Sequence, residues 1–187
     1  MKINKQEFSS GISNLFSGSI KIKTKTINSL VKRIMQNISI STSSQGIDYI
    51  RIENKSSLKN LNDENFTDIE HRARRQLYEY FRGTRKKFSL PLNYANCSEF
   101  SYKVLNETIK IPYGETRTYA WLAKKCKNLK SYRAVGQVMR RNPFLIVIPC
   151  HRVISSSGEL GGFSGGIENK KFLLYHEQNV IKEEQNV

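Results

Sequence analysis

The residues best suited to chemistry are Cys150, His151 and Arg152, which follow an apolar run and a proline. A thiolate is a far stronger nucleophile than a thiol, and a neighbouring base or cation favours its formation. This triplet therefore predicts a nucleophilic cysteine. A structural cysteine is the alternative, because cysteine is often buried and adjacent residues on a strand point to opposite faces.

Five consecutive apolar residues, 144–148, lie between Pro143 and Pro149 and precede this cysteine. A short apolar run bounded by prolines is typical of a buried strand, and we predict that this strand delivers Cys150. It is the longest apolar run in the chain, whereas a membrane span needs about twenty apolar residues. We therefore expect no membrane as a partner.

The three cysteines, Cys97, Cys126 and Cys150, cannot all pair with one another, and their spacing fits no zinc-binding pattern. The first thirty residues contain scattered lysines and lack the apolar segment of a secretory signal. These features predict a cytoplasmic protein with free thiols and no bound metal.

The charge balance points to polyanionic partners. Lysine and arginine number 31 against 16 acidic residues, which gives the 187-residue chain a formal net charge of +15. Cations that meet phosphates release condensed counterions, which favours binding. Residues 1–95 carry 17 basic and 8 acidic residues and residues 96–187 carry 14 and 8, so the charge is not confined to a tail. Acidic proteins, RNA and anionic lipid remain alternatives to DNA.

Two short helices joined by a turn are predicted between residues 118 and 142. Thr118 can cap the first helix and Ser131 the second, and each helix carries apolar residues on one face. This is the layout of a helix-turn-helix. The stretch 113–152 holds nine basic residues and one acidic residue, which strengthens the prediction of DNA binding.

The second of these helices contains Ala134 and Gly136, although glycine in a helix interior costs about 1 kcal/mol relative to alanine. Close packing of this helix against a neighbouring element would explain the small residues. Close approach of the helix to DNA would explain them equally well.

The N-terminal part alternates apolar and polar residues. This period predicts short strands at 19–23, 38–40 and 47–52, with polar loops at 41–45 and 54–65.

Helical spacing begins later in the chain. A helix is predicted over 68–82, with Gly83 ending it, and another over 98–109. The chain is long enough for two small domains, and we expect the boundary between them at 91–97.

The segment around Cys150 resembles the active-site motif of the O6-alkylguanine-DNA alkyltransferases, also called methylated-DNA–protein-cysteine methyltransferases. Other motifs of that family stand around it in the family's order and spacing. In the C-terminal half they are IPYGET at 111–116, TY at 118–119, RAVG at 133–136, RRNP at 140–143, PCHRV at 149–153, GFSGG at 162–166 and HE at 176–177. The N-terminal half is similar only at 76–83 and 88–92.

The resemblance implies an α/β (α+β) fold with two domains. Residues 1–92 would form a small ribonuclease-H-like domain, and residues 96–187 a mostly helical domain that contains the helix-turn-helix. This motif would enter the minor groove of double-stranded DNA, and an O6-alkylguanine would be flipped out of the duplex. The alkyl group would pass irreversibly to Cys150, once per molecule and without a cofactor. O4-alkylthymine is a further candidate substrate, and we expect a monomer.

Catalytic roles follow from the same resemblance. Cys150 matches the alkyl acceptor, His151 the base that acts through a water, and Glu177 the carboxylate that orients this histidine. Asn142 matches a residue that hydrogen-bonds within the cysteine site. Tyr119 matches the residue that rotates the target phosphate and can protonate the leaving guanine. Without the resemblance, Glu177 reads as a solvated helix residue and Tyr119 as a core tyrosine.

Contacts to DNA and to the damaged base map onto a second set of residues. Arg133 matches the finger that replaces the flipped base in the stack, and Ser164 and Lys170 match residues near the guanine O6. The other members of this set are Thr116, Tyr119, Ala134 and Gly136.

Three departures from the family pattern affect these expectations. Phe163 stands where relatives often have tyrosine, so a contact that needs its hydroxyl is lost. Leu145 occupies a pocket position that is proline in some relatives, which affects tolerance of bulky adducts. Residues 1–90 hold no Cys/His cluster that could assemble the structural zinc of some members.

Two other function classes are open to a chain with this helix-turn-helix. A non-catalytic relative that flags alkylated bases commonly has tryptophan at the cysteine position, and Cys150 argues against that reading. A transcription regulator would need a regulatory module, and nothing in residues 1–90 resembles one.

Overall fold

A computed structural model describes residues 24–53, 66–127 and 132–186 of the chain. It is a mixed fold with helices and two small sheets. The helices are α1 Thr24–Asn37, α2 Asp68–Phe81, α3 Glu99–Thr108, α4 Tyr119–Lys125, α5 Tyr132–Arg140 and α6 Ile167–Gln185. The strands are β1 Ile38–Ser43, β2 Gly46–Ile52, β3 Arg117–Thr118 and β4 Val153–Ile154.

The N-terminal part is built on a hairpin. Strands β1 and β2 pair antiparallel, with Ile38 opposite Ile52 and Ile40 opposite Ile50. The predicted strands at 38–40 and 47–52 are confirmed, while β1 continues to Ser43, so the predicted loop at 41–45 shrinks to a tight turn. The predicted strand at 19–23 and loop at 54–65 lie outside the described residues. Helix α1 was not predicted.

Helix α2 confirms the helical spacing at 68–82. Thr67 caps it by accepting a hydrogen bond from the Glu70 N–H, and a positive φ of 76° at Gly83 lets the chain turn away after it. Its inner face buries Leu77 and Tyr80 completely. The inner face of this helix therefore forms one side of the apolar core.

The C-terminal part contains the remaining helices. Thr118 caps α4, as predicted. The helix predicted over 98–109 is confirmed as α3, and Ser98 caps it. Val135, Val138 and Met139 of α5 are buried, and its arginines lie outside, also as predicted. The predicted cap Ser131 is not among the described residues.

The apolar run 144–148 is buried as expected, but the prediction of a regular strand is wrong. Its chain folds back on itself, because the Ile148 N–H donates to the Phe144 carbonyl at 2.9 Å and Ile146 has a φ of 72°. The start of this segment instead hydrogen-bonds to Ile50 of β2. The Ile50 N–H donates to the Pro143 carbonyl at 2.7 Å, and the Leu145 N–H donates to the Ile50 carbonyl at 3.1 Å. Fully buried main-chain groups thus find partners without a continuous strand.

One apolar core runs through both halves of the described chain. It includes Ile50 and Leu77 from the N-terminal part and Leu105, Leu122 and Phe144 from the C-terminal part. The ribonuclease-H-like topology and the division into 1–92 and 96–187 stay predictions. Within the described ranges, no helix combines the length and apolar character needed to cross a membrane.

Candidate active site

Cys150 lies at the start of a short 3-10 helix, Cys150–Arg152, directly after the folded-back apolar run. It is 2% exposed. Its Sγ accepts a hydrogen bond from the Asn142 Nδ2 at 3.1 Å. Asn142 is itself held by the Ile148 carbonyl and the Phe144 N–H, both at 2.9 Å. The predicted pair of Asn142 and Cys150 is therefore in direct contact.

The electrostatic surroundings keep this sulfur protonated at rest. Burial raises the pKa of Cys150 to about 11, and the Asn142 amide and the Lys170 charge lower it only in part. A buried thiol of this kind needs a base to become a nucleophile.

His151 lies next to the cysteine in sequence and is completely buried. Its Nε2 lies 2.8 Å from the Glu177 Oε1. An ionised carboxylate can only accept, so Nε2 carries the proton and Nδ1 is left with a free lone pair. That Nδ1 has no hydrogen-bond partner within the described parts of the chain. Burial lowers the pKa of His151, against the pull of Glu177, so its ring is neutral at pH 7.

Glu177, on α6, is the centre of the buried polar network. Arg152 donates to both of its oxygens, with its Nε 2.9 Å from Oε2 and its Nη2 2.9 Å from Oε1. The Gly114 N–H donates to Oε2 at 2.8 Å, and the Tyr80 hydroxyl donates to Oε1 at 2.7 Å. Burial by itself would raise the pKa of Glu177, but His151 and Arg152 hold it well below its usual range.

Sequence reasoning missed two members of this network. From sequence, Arg152 is predicted only as a cation beside the thiol, and the helical spacing at 68–82 places Tyr80 only on the apolar face of its helix. An arginine next to a buried cysteine and histidine needs an acidic partner, which is a signal that could have found Arg152. A contact between residues 97 apart, such as Tyr80 to Glu177, has no local signal.

Tyr119 and Lys170 lie close enough to Cys150 that a thiolate there would raise the pKa of both. The Lys170 Nζ lies 5.9 Å from the centre of the Tyr119 ring. It donates to the carbonyls of Val153, at 2.7 Å, and of Leu160. Burial raises the pKa of Tyr119 and lowers that of Lys170 to about 8. Both groups are thus protonated at pH 7.

The glycine-rich segment after β4 passes over this site. Gly161 has a φ of 64°, and a Cβ placed there would lie 3.0 Å from the Tyr119 hydroxyl, so a side chain would collide. The Phe163 ring packs edge-on to His151, with ring centres 6.4 Å apart. Ser164 is exposed on the same segment.

The residues assigned to DNA contact divide between two places. Arg133 and Ala134 are exposed on α5, whereas Thr116 is buried and its carbonyl accepts from Arg117 at 2.8 Å. A Cβ built on Gly136 meets no atom within 4 Å. Close packing within the described chain therefore does not explain this glycine. Its helix face is open to a partner.

No group of three or more His, Cys, Asp or Glu side chains in 24–53, 66–127 and 132–186 is arranged to hold a metal ion. The site's polar atoms are instead directed at one another. The arrangement supports proton transfer from a thiol to a carboxylate-held imidazole.

A family model described as 6-O-methylguanine DNA methyltransferase, DNA binding domain, matches residues 99–179. A methylated-DNA–protein-cysteine methyltransferase of Methanosarcina mazei is 41% identical over 134 residues, which cover 72% of this chain and 84% of that protein. The constitutive methylated-DNA–protein-cysteine methyltransferase of Bacillus subtilis is 46% identical over 112 residues, which cover 59% of this chain and 67% of that protein.

Solved structures show the same similarity. The structure of Mycobacterium tuberculosis OGT in complex with DNA matches with a TM-score of 0.66 and 30% identity, covering 76% of this chain and 87% of that one. The O6-methylguanine-DNA methyltransferase of Pyrococcus kodakaraensis matches with a TM-score of 0.57 and 26% identity, covering 75% and 97%.

Proposed function

Because the chain belongs to the methylated-DNA–protein-cysteine methyltransferases, and is thus a methyltransferase of alkylated DNA, we propose that it moves the alkyl group of O6-alkylguanine to its own Cys150. The observation that carries this proposal is the buried Cys150 thiol next to His151, whose Nδ1 is an unpartnered base among the described side chains. Glu177 fixes the proton on the other ring nitrogen.

Activation of the cysteine is the first step. The thiol proton passes to the Nδ1 of His151 through an intervening water, and Glu177 stabilises the imidazolium that results. The Asn142 amide donates to the sulfur, and the charged Lys170 favours its anionic form. Together these groups offset the burial that keeps the resting thiol protonated.

Transfer of the alkyl group follows. The thiolate attacks the carbon attached to O6, an S–C bond forms, and the C–O6 bond breaks with its electron pair on oxygen. The Tyr119 hydroxyl, whose ordinary pKa of 10.0 already keeps it protonated at pH 7, gives a proton to the leaving guanine. The His151 imidazolium, which holds the thiol proton, gives a proton back to Tyr119, so that overall the thiol proton replaces the alkyl group on the base.

The chemistry of the product predicts that each chain reacts once. A thioether carries no leaving group that water displaces readily, and Cys150 is buried, so the alkylated sulfur persists. The step needs no cofactor in this scheme. O4-alkylthymine presents the same alkyl–oxygen bond next to a ring nitrogen, and we include it as a second substrate.

Recognition of DNA is assigned to α4 and α5 as a helix-turn-helix in the minor groove. The open faces of Ala134 and Gly136 let the backbone of α5 come close to the groove floor, and the exposed Arg133 extends into the stack. The flipped guanine then reaches Cys150 under the segment that holds Ser164. We propose that the chain acts on double-stranded DNA as a monomer.

Mass spectrometry of the intact protein tests this function. After incubation with a duplex oligonucleotide that carries O6-methylguanine, we expect the whole population to gain the mass of one methyl group and no more. Peptide mapping should place the group on Cys150. A protein that stays unmodified at excess substrate would contradict the proposal.

Replacement of Arg133 should separate base flipping from chemistry. Flipping costs a few kcal/mol of stacking and pairing, and a flat cation that fills the gap recovers part of this cost. We expect Arg133→Ala to slow repair of duplex DNA at least tenfold, the equivalent of about 1.4 kcal/mol. Its reaction with free O6-methylguanine should stay within about twofold, because the cysteine site is untouched.

Lys124→Ala is the matched control, because Lys124 is an equally exposed cation on α4. It should weaken binding to all DNA sequences and reduce the salt dependence, while its rate at saturating duplex and its rate with free base stay close to those of the unaltered protein. Single-turnover rates on both substrates provide the comparison. Equal losses on duplex and free base for Arg133→Ala would show that Arg133 supports the fold instead.

Replacement of Gly136 by alanine should raise the free energy of unfolding and slow the repair of duplex DNA. Gly136→Ala places a methyl group in open space, so the helix should gain up to about 1 kcal/mol of unfolding free energy. The same methyl group should hinder approach to the groove and slow duplex repair about fivefold, equivalent to about 1 kcal/mol. Thermal unfolding and single-turnover rates measure the two effects. A lower free energy of unfolding for Gly136→Ala would show that close packing of the helix, and not approach to DNA, explains the glycine at this position.

A further inference from the structure

We propose that Tyr80, on helix α2 of the N-terminal part, is a positioning residue for the cysteine site. It holds Glu177 in the orientation that leaves the Nδ1 of His151 free to accept a proton. This inference rests on the proposed function and extends the site to a helix that precedes the matched family domain at 99–179.

The side-chain contact is direct and fully buried. The Tyr80 hydroxyl donates to the Glu177 Oε1 at 2.7 Å, the same oxygen that lies 2.8 Å from the His151 Nε2. Tyr80 is 0% exposed. The Arg152 Nη2 also lies 2.9 Å from this oxygen. Three donors therefore share it, and each limits the positions that the others can take.

The main chain of Tyr80 makes a second contact with the same segment of α6. The His176 Nε2 lies 2.9 Å from the Tyr80 carbonyl, so His176 donates to it. Tyr80 thus binds two consecutive residues of α6, one through its hydroxyl and one through its carbonyl. These two hydrogen bonds fix the position of α6 along its axis and its rotation about that axis at the turn that carries Glu177.

The hydroxyl also moderates the charge of the carboxylate. A hydrogen bond to an ionised oxygen spreads its negative charge, which weakens its attraction for a proton on the neighbouring imidazole. Without the hydroxyl, Glu177 would favour the imidazolium form of His151 more strongly. A histidine that is protonated at rest cannot act as the base, so the reaction would slow at low pH.

Charged and titratable groups face this pair from every element packed against it. Around His151 and Tyr80 they are Cys150, Arg152, Lys170, Glu177, Tyr113 and His176. Loss of the Tyr80 hydroxyl removes one hydrogen bond from Glu177 and removes no contact that the structure shows between that hydroxyl and the other groups. The shift in the pH profile can therefore be assigned to that hydroxyl.

Tyr113 offers a matched control. Its ring packs edge-on to that of Tyr80, with centres 5.8 Å apart, and it is also buried. Its hydroxyl has no hydrogen-bond partner among the residues that the structure describes. Tyr113→Phe therefore removes an equally buried hydroxyl near Glu177 without removing a bond to it.

The experiment compares Tyr80→Phe and Tyr113→Phe in the full chain with the unaltered protein. Single-turnover methyl transfer from duplex O6-methylguanine and from the free base is measured between about pH 5.5 and pH 9. For Tyr80→Phe we expect the low-pH limb to move to higher pH, with a loss of about three- to tenfold near pH 6 that falls within about twofold at pH 8.5. Both substrates should lose equally, and Tyr113→Phe should follow the unaltered profile.

An unchanged profile for Tyr80→Phe would overturn the proposal, and so would an equal loss at every pH, which a purely structural role predicts. An NMR titration of the His151 ring, without substrate, should show its pKa rising in Tyr80→Phe. The NMR titration tests the link from Tyr80 to His151 even if the unaltered protein transfers no methyl group. In that case the proposed function fails, and the titration alone supports or overturns the link from Tyr80 to His151.

Discussion

Cys150→Ser should abolish methyl transfer and leave DNA binding intact. A serine hydroxyl is a much weaker acid than a thiol, so the neutral His151 cannot generate a comparable nucleophile from it. The substitution is small, and the Asn142 amide can donate to an oxygen as it does to the sulfur. Contacts to phosphates come from other residues, which is why affinity for DNA should persist.

The measurement is the intact mass after exposure to duplex O6-methylguanine, together with an electrophoretic assay of DNA binding. Cys126→Ser serves as the control, because Cys126 is also buried but lies at the end of α4. It should gain one methyl group at the rate of the unaltered protein. A methyl group mapped to Cys126 or Cys97 would show that the acceptor has been assigned wrongly.

Local signals were enough to predict most of the helices. Thr118, Ser98 and Gly83 mark helix ends because they satisfy or terminate main-chain hydrogen bonding within a few residues. The strand predicted at 144–148 failed for the opposite reason. Its burial follows from composition, but its turn at Ile146 depends on pairing with β2, almost a hundred residues earlier.

In the candidate site, too, some residues could be predicted from sequence motifs and others could not. Similarity to family motifs predicts Cys150, His151 and Glu177, and the structure places the His151 Nε2 2.8 Å from the Glu177 Oε1. Spacing gave no sign that Arg152 and Tyr80 would meet the same carboxylate, since they reach it from a 3-10 helix and from α2. Contacts that close a network across the fold depend on tertiary packing rather than on local sequence.

Glu177→Gln should destabilise the fold as well as block the reaction. The carboxylate accepts hydrogen bonds from His151, Arg152, Tyr80 and the Gly114 N–H. An amide has one accepting oxygen and carries no charge, so Arg152 would remain buried without a counterion. Removal of one partner from a buried ion pair costs about 3–5 kcal/mol. Denaturant unfolding at pH 7 should show a loss of this size.

The stability that Glu177 contributes should depend on pH in a defined direction. Its pKa in the folded chain lies well below the ordinary value of 4.5. The unfolded chain therefore binds a proton first as the pH falls, and the contribution is complete above about pH 4.5 and declines below it. The difference in unfolding free energy between the unaltered protein and Glu177→Gln should shrink as the pH falls below about 4.5.

A double substitution identifies the uncompensated charge as the cause. Arg152→Met together with Glu177→Gln removes both charges, and the methionine fills part of the space of the arginine stem. If the buried cation is what destabilises Glu177→Gln, the double variant should be more stable than Glu177→Gln alone, although its methyl transfer stays abolished. If the loss of stability in the double variant equals the sum of the losses in the two single variants, the buried cation is not the cause. The destabilisation then comes from the lost hydrogen bonds of His151, Tyr80 and Gly114.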